Sequence, residues 1–152
     1  MPHIELVTEI EASAERCFDL SREIDVHLGS MAASRERATA GVTSGHIGLG
    51  QEVTWEARHF GIWWRITSRI TEFDRPRSFV DEMQHGPFAA FRHEHRFVQS
   101  DSITAMIDRV DYRLPLGILG RIADALLVKR YTRHLLEVRN HYIKQAAEVG
   151  PR

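Results

Sequence analysis

Alternating hydrophobic and polar residues occur along most of the chain, and this pattern predicts β-strands because side chains at every second position share one face. Seven segments carry the pattern, at residues 3–11, 35–42, 52–59, 62–73, 78–84, 91–98 and 103–112. Short turns join the six later segments, so these are expected to form an antiparallel meander. Closing the third and fourth segments about Phe60-Gly61 pairs Trp55 with Ile66, and the apolar faces of the two strands then coincide.

Two regions of the chain change to the helical spacing of three and four residues. After the first strand, Ser13 is a favourable N-cap for a helix that is expected to run to about Ile24. A second short helix is expected from about Asp25 to Ala33, and a long unbroken helix from about Ile118 to Ala147. The apolar stripe of the long helix is expected to comprise Leu119, Ile122, Ala123, Leu126, Leu127, Tyr131, Leu135, Val138 and Tyr142.

This order of elements predicts an α+β fold class. A twisted sheet curls, and a long amphipathic helix can lie in its concave face. We therefore expect a helix-grip fold, in which a seven-stranded curved antiparallel sheet wraps around a long C-terminal helix, with two short helices after the first strand. Residues 1–148 are expected to form a single domain, because a chain of this length suits one hydrophobic core.

Composition narrows the possible partners and the location. The net charge of −1 and the isoelectric point near 6.8 argue against a general binder of nucleic acid or of anionic membranes. No segment approaches the ~20 apolar residues of a membrane span, and the N-terminus lacks the apolar run of a signal peptide, so a cytoplasmic location is expected. The single cysteine, Cys17, excludes an intramolecular disulfide and is expected to be buried.

A glycine-rich stretch, GVTSGHIGLGQ, begins at Gly41. Nucleotide-binding motifs need a glycine-rich turn that leads into a helix, where free backbone amides meet the phosphate. Here the stretch leads into a predicted strand instead. We therefore expect a long mobile hairpin loop from Gly41 to Gly50, which could also act as a lid over a cavity.

The densest polar chemistry lies in the hairpin formed by the last two predicted strands, FRHEHRFVQSDSITAMIDRVDY. Alternation places His93 and His95 on one face, between Phe91 and Phe97. If the hairpin closes symmetrically about Ser100-Asp101, His93 lies opposite Asp108, His95 opposite Met106 and Phe91 opposite Val110. This face therefore combines apolar bulk with a few polar groups, as a ligand cavity does and as a core with a satisfied polar pair also does.

Several interpretations of these polar residues stay open. Asp108 beside His93 would raise the basicity of the imidazole, so the pair suits a general base; the same pair could equally be a buried hydrogen-bonded contact. His93 and His95, two residues apart on one strand, could chelate a metal with His59 or Asp108 as third ligand. Nothing in the sequence fixes that third ligand, so a role without metal is preferred.

The segments GPFAAFRHEHRF (residues 86–97) and DRVDYRLPLGILGRIAD (residues 108–124) resemble the polyketide cyclase/dehydrase-like bacterial branch of the START/Bet v 1-like superfamily, also called SRPBCC. The order of elements is similar to that superfamily over nearly the whole chain. The resemblance implies a deep hydrophobic cavity for a small apolar or amphipathic molecule. It implies no metal, no cofactor and no particular reaction, because the superfamily includes carriers, sensors, chaperones and enzymes.

We therefore expect a protein, monomeric or homodimeric, that binds a lipid, isoprenoid, quinone or polyketide between sheet and helix. His93, His95 and Asp108 would orient the polar end of the ligand, and Ser68 and Tyr112 could hydrogen bond to it. The remaining residues expected to line the cavity are Trp55, Trp64, Ile66, Phe79, Phe91, Phe97, Met106, Leu119, Ile122 and Leu126. One alternative is a cyclase or dehydratase that uses His93 as base and Asp108 as its orienting partner. A second alternative is a protein-interaction module without a ligand or a sizeable cavity.

Overall fold

The computed structural model of the protein describes residues 2–149, and seven antiparallel strands form its sheet in the order β1-β7-β6-β5-β4-β3-β2. The strands are β1 (His3–Ile10), β2 (Arg37–Gly41), β3 (Glu52–His59), β4 (Ile62–Asp74), β5 (Ser78–His85), β6 (Ala90–Ser100) and β7 (Ile103–Arg113). The order confirms the predicted meander, with β1 added beside β7 at the edge of the sheet.

Two short helices follow β1, as predicted: α1 (Ala14–Ser21) and α2 (Ile24–Ser30), with a 3-10 turn after them. The C-terminal helical region consists of α3 (Ile118–Ala123), a π-helical segment (Asp124–Val128) and α4 (Lys129–Glu148). The helix-grip fold is therefore confirmed. Within the part of the chain that the structure describes, no helix combines the length and the apolar character needed to cross a membrane.

Helix α1 begins where its capping residue predicts and ends earlier than predicted. The Ser13 hydroxyl accepts a hydrogen bond from the backbone N–H of Arg16 at 3.2 Å. The helix ends at Ser21 instead of near Ile24, because Glu23 forms a β-bridge with His46 and interrupts the helical backbone. Its inner face buries Cys17, as predicted, and burial raises the pKa of that thiol to about 11.

The β3–β4 hairpin has the predicted register, with Trp55 opposite Ile66. The β6–β7 register is shifted by two residues from the prediction. The turn is Asp101-Ser102, with Asp101 in the left-handed region at φ 56°, a conformation that Asp adopts more readily than most residues. His93 therefore lies opposite Val110 and His95 opposite Asp108, whereas Phe97 pairs with Met106 and Phe91 with Tyr112. A shift of two positions leaves every side chain on its predicted face.

The predicted unbroken C-terminal helix is interrupted by the π-helical segment, where the Lys129 N–H donates to the carbonyl oxygen of Asp124, five residues earlier. A π turn holds one residue more than an α turn, so it rotates the inward face of the helix that follows by one position. Beyond the π segment the predicted stripe therefore holds at Tyr131 and Leu135, which are half-buried, and is wrong at Val138 and Tyr142, which are exposed. The buried residues of α4 are Leu136, Arg139, Asn140, Ile143 and Ala147.

The glycine-rich loop is attached to the rest of the fold, in contrast to the mobile hairpin loop that its composition suggests. The Ile24 N–H at the start of α2 donates to the Gly45 carbonyl at 2.8 Å, and the Ile47 N–H donates to the Arg22 carbonyl at 3.1 Å. The Ile47 side chain is buried. The middle of this loop therefore packs against the start of α2.

Candidate functional site

A cavity of about 590 Å³ lies between the concave face of the sheet and the C-terminal helical region. Such a volume is typical of sites for small molecules. The predicted residues that line it are Trp55, Trp64, Ile66, Ser68, Phe79, Phe91, His93, His95 and Leu119. Further apolar wall comes from Ile24 and Met31 of the α2 region, which was not predicted to contribute. Tyr131 and Leu135 of the predicted helical stripe also line the cavity.

Six predicted ligand-binding residues lie elsewhere. Phe97 and Met106 are buried beneath α1: the Phe97 ring meets the Phe18 ring edge-on at 5.4 Å, and the Met106 sulfur accepts from the Ser21 hydroxyl. Asp108 is fully buried behind the two imidazoles. The remaining three are Tyr112 of β7 and Ile122 and Leu126 of the C-terminal helical region.

The Tyr112 hydroxyl is not directed at a ligand, because it donates to the carboxylate of Asp124 in the π-helical segment. Burial and the adjacent Asp124 charge raise the pKa of Tyr112. Ile122 and Leu126 lie on the outer face and are 52% and 72% exposed. The stripe drawn from the sequence placed both inside, because it assumed a regular α-helical spacing through the segment.

The inner end of the cavity contains six interacting polar residues, here called the buried polar cluster: Asp81, His93, His95, Asp108, Arg139 and Asn140. Inward-facing positions of three neighbouring strands supply the first four, because Asp81 of β5 pairs with His93 of β6 and His95 pairs with Asp108 of β7. Helix α4 supplies the other two. The cluster thus joins the middle of the sheet to the helix.

Asp108 accepts hydrogen bonds at both carboxylate oxygens. His93 Nε2 lies 2.7 Å from Oδ1, and Asn140 Nδ2 lies 2.7 Å from Oδ2. Arg139 Nη1 approaches Oδ1 at 3.4 Å and also donates to the Asn140 side-chain oxygen at 2.9 Å. Although burial by itself raises the pKa of Asp108, the hydrogen bond from His93 and the Arg139 charge hold it well below its usual range. Asp108 is therefore an anion at neutral pH.

The two histidines differ in their hydrogen-bond partners. His95 Nε2 lies 2.7 Å from Asp81 Oδ2. Burial by itself raises the pKa of Asp81, but the contact with His95 and the neighbouring charges outweigh this effect, so the pKa of Asp81 is lowered. Burial lowers the pKa of His93, and nearby His95 adds to that effect. His93 is therefore neutral at pH 7. Because anionic Asp108 only accepts, His93 carries its hydrogen on Nε2 and presents a lone pair at Nδ1.

Aromatic stacking fixes the orientation of the two imidazoles. The His95 ring lies 4.1 Å from the Phe79 ring at an interplanar angle of 14°, and 3.7 Å from the His93 ring at 27°. Two rings this close to His95 cannot share one of its faces without overlapping, so they cover opposite faces. The three side chains therefore form a continuous column along the sheet.

The cavity opens among exposed apolar residues at the end opposite to the buried polar cluster. Phe60 and Trp64 border it from the β3–β4 hairpin, and Leu116 and Leu119 border it from the start of the C-terminal helical region. Leu116 and Leu119 are 77% and 67% exposed. The cavity therefore has a polar inner end and an apolar mouth.

Sequence reasoning missed three members of the buried polar cluster. Asp81 lies two residues after inward-facing Phe79, so strand alternation alone could have placed it with the histidines. Arg139 and Asn140 gave no such signal, because a pair of polar residues on a helix normally indicates its solvent face. Their burial follows from the rotation that the π-helical segment introduces.

Comparison with known proteins identifies the fold. A protein from Thermus thermophilus superimposes with a TM-score of 0.75 at 18% sequence identity, over 96% of this chain and 99% of that one. A START superfamily protein from Mycobacterium smegmatis gives a TM-score of 0.71 at 14% identity, over 95% and 98% of the respective chains. The Zhui aromatase/cyclase from a Streptomyces species gives 0.68 at 16% identity, over 97% and 93%. No family model matches this chain, and no curated protein matches its sequence.

These similarities extend over nearly the whole chain and include both the sheet and the C-terminal helical region. At this level of sequence identity they describe architecture. They confirm, for the fold, the resemblance seen in residues 86–124. The chain therefore has the helix-grip fold of the START/Bet v 1-like superfamily.

Proposed function

We propose that this protein binds a small amphipathic molecule in the cavity, with the apolar body of the ligand near the mouth and its polar end at the buried polar cluster. The observation that carries the proposal is the cavity of about 590 Å³, whose walls are mostly apolar and whose inner end borders the buried polar cluster. Burial of apolar ligand surface would contribute about 25 cal/mol per Å² to binding. Lipids, isoprenoids, quinones and polyketides have this combination of an apolar body and a polar end.

The polar end supports an oriented ligand. The His93 Nδ1 lone pair accepts hydrogen bonds from a hydroxyl group, and the Arg139 guanidinium, which borders the same space, donates to a carbonyl or carboxylate oxygen. Ser68 adds a hydroxyl on the wall of β4. The presence of a sizeable cavity argues against the interaction-module hypothesis, which expects none.

Direct identification of the ligand tests the proposal. Native mass spectrometry of protein purified from its own host is expected to show a complex whose extra mass disappears on denaturation. The released compound is expected to contain an apolar chain or ring system and a single polar end. Protein that carries no such compound, and that also fails to bind the apolar fluorophore N-phenyl-1-naphthylamine, would contradict the proposal.

A cavity-filling variant gives the matched test in vitro. Ala57 is a buried wall residue of β3, and Ala57→Phe is expected to weaken binding of N-phenyl-1-naphthylamine by at least about tenfold, or ~1.4 kcal/mol, because the ring occupies ligand space. The control is Ala105→Phe, at an outward position of β7. Equal affinities of the two variants in a fluorescence titration would place the fluorophore outside the cavity.

The geometry of His93 also favours a second candidate, an enzyme that removes a proton next to a ketone. A neutral imidazole that lines the cavity and is held by a carboxylate at 2.7 Å has the arrangement of a general base. His93→Gln is expected to leave fluorophore affinity unchanged in a carrier. In an enzyme, the same variant is expected to stop deuterium exchange at the carbon beside the carbonyl of a bound ketone, followed in D₂O by mass spectrometry.

A further inference from the structure

We propose that Asp81, His93 and His95 form a binding site for one divalent transition-metal ion, such as Zn²⁺, at the inner end of the cavity. One ligand atom from each side chain lies within 4.8 Å of the other two. The sequence left the third ligand open between His59 and Asp108, and the structure instead places Asp81 of β5 beside the two histidines. The proposal goes beyond ligand binding, because it concerns the ion alone.

The three side chains need small movements to coordinate an ion. Ligand atoms about 2.1 Å from a common metal lie roughly 3 to 3.5 Å from one another. Asp81 Oδ2 is 2.7 Å from His95 Nε2 and 4.0 Å from His93 Nδ1, distances on either side of that range. Both facing nitrogens lie near the same carboxylate oxygen, Asp81 Oδ2. Because the rings are stacked, at least one imidazole must turn about its side-chain torsions before both ring planes contain the ion.

The surroundings of the two histidines resemble those of metal ligands. A metal-binding histidine usually donates its second N–H to a carboxylate, which fixes the tautomer and strengthens the ligand. Asp108 is that carboxylate for His93, through Nε2 at 2.7 Å, and its Oδ1 lies 3.4 Å from His95 Nδ1. Metal binding moves the His95 proton from Nε2 to Nδ1, where Asp108 accepts it, so no proton leaves the site.

The charge of the cluster favours a cation. With both imidazoles neutral, as coordination requires, the carboxylates of Asp81 and Asp108 face the single guanidinium of Arg139. Arg139 lies 3.4 Å from His95 Nδ1, the nitrogen that faces away from Asp81. The guanidinium charge of Arg139 is paired with the carboxylate of Asp108. The group therefore has an excess negative charge on the Asp81 side.

The site faces the cavity, because Asp81, His93 and His95 all lie on its wall. An ion held by two imidazoles and one carboxylate keeps further coordination positions free. These positions would point into the space of the ligand, where a carbonyl, phenolate or carboxylate oxygen can coordinate. An ion at this position would therefore favour a ligand whose polar end carries an oxygen donor.

Titration with the metal alone tests the site. Protein treated with a chelator and then dialysed is expected to bind one Co²⁺ per chain, with visible absorption bands of a four- or five-coordinate ion, and one Zn²⁺ by calorimetry. The variants Asp81→Asn and His95→Gln are each expected to raise the dissociation constant by about 100-fold or more, since even an outer partner of a metal ligand is worth 10–100-fold. Circular dichroism establishes that each variant is folded.

The control variant is His3→Gln, which removes a histidine that contacts Asp111 at 2.7 Å on the outside of the sheet. It is expected to bind Co²⁺ as the wild type does. X-ray absorption of the wild-type Zn²⁺ complex, which needs no variant, is expected to show two imidazoles and an oxygen ligand. Absence of one-to-one binding, equal affinity of Asp81→Asn and wild type, loss of binding in His3→Gln, or a shell without two imidazoles would each overturn the proposal.

Discussion

Asp108 is the residue on which the interior polar contacts converge. It is fully buried, and its two oxygens receive His93, Asn140 and Arg139. A buried charge of this kind is tolerated because its partners replace the water that it has lost. Replacing Asp108 is therefore unsuited to separating a carrier from an enzyme, since any loss of function would include a loss of stability.

Asp108→Asn is expected to lower the free energy of unfolding by about 3–5 kcal/mol, because it leaves the Arg139 charge buried without its partner. Urea unfolding followed by circular dichroism measures the change. The matched control is Asp111→Asn on the same strand, whose carboxylate contacts His3 at the surface and is expected to contribute less than about 1 kcal/mol. Similar losses in the two variants would contradict the central role of Asp108.

His59 gives the residue-level prediction for pH. Its Nδ1 lies 2.6 Å from the Tyr131 hydroxyl of α4, and burial lowers its pKa in the folded state despite the nearby Glu36 charge. A histidine whose folded pKa is lowered stabilises the fold above its unfolded pKa of about 6.5, and that contribution is lost as the pH falls through the folded value.

The wild type is therefore expected to lose more stability between pH 8 and pH 5 than His59→Gln does, since glutamine does not titrate. Urea unfolding of both proteins at several pH values measures this difference. The comparison at pH 8, where His59 is neutral in both states, gives the reference. Parallel stability curves for the two proteins would show that His59 is not responsible.

Among the α-helices, α3 is the most exposed. Gly120 is its buried residue, whereas Ile118, Leu119 and Ile122 are all more than half exposed. The Tyr112–Asp124 hydrogen bond connects the end of α3 to the sheet. An element with few buried apolar contacts opens locally at low free-energy cost, and α3 borders the mouth of the cavity.

Tyr112→Phe is expected to increase amide exchange in α3 and the π-helical segment by about fivefold or more, because a net hydrogen bond of about 1 kcal/mol is lost there. Hydrogen–deuterium exchange with mass spectrometry measures this increase in amide exchange. Exchange in β6 and β7 should stay unchanged. The control is Tyr142→Phe, at a partly exposed position of α4. Equal exchange in α3 of wild type and Tyr112→Phe would show that another contact holds this helix.

The elements also show what the sequence can and cannot predict. Strand alternation placed His93 and Asp108 on one face even though the predicted hairpin register was two residues off, because a shift of two keeps the face. The helix was different, because a single extra residue in the π-helical segment rotates the inward face of the following helix by one position. No pattern of apolar residues reveals that extra residue, so the predicted stripe included Val138 and left out Arg139.

At the scale of the whole molecule, the cavity separates two apolar clusters. One includes Ile10, Phe18 and Ile143 beneath α1, and the other includes Ile4 and Leu136 near the opposite end of β7. The interior is thus incomplete without a ligand, since side chains that border a void lose contacts that a filled core would provide. A ligand in the cavity would connect the clusters.

Ligand binding is accordingly expected to stabilise the fold. N-phenyl-1-naphthylamine at 100 times its dissociation constant should raise the free energy of unfolding by about 2.7 kcal/mol, because it binds the folded state alone. Urea unfolding at increasing fluorophore concentration measures this gain. For Ala57→Phe, with tenfold weaker binding, the gain at the same concentrations should fall to about 1.4 kcal/mol or less. An equal gain in both proteins would indicate binding elsewhere.

The column of Phe79, His95 and His93 restricts the direction from which the inner end of the cavity can be approached. Both faces of the middle ring are covered, so a flat ligand cannot lie against them. What remains open on His95 is its ring edge, where the nitrogen lone pair and the N–H bond lie in the ring plane. Recognition by His95 is therefore selective for an atom that arrives within its ring plane.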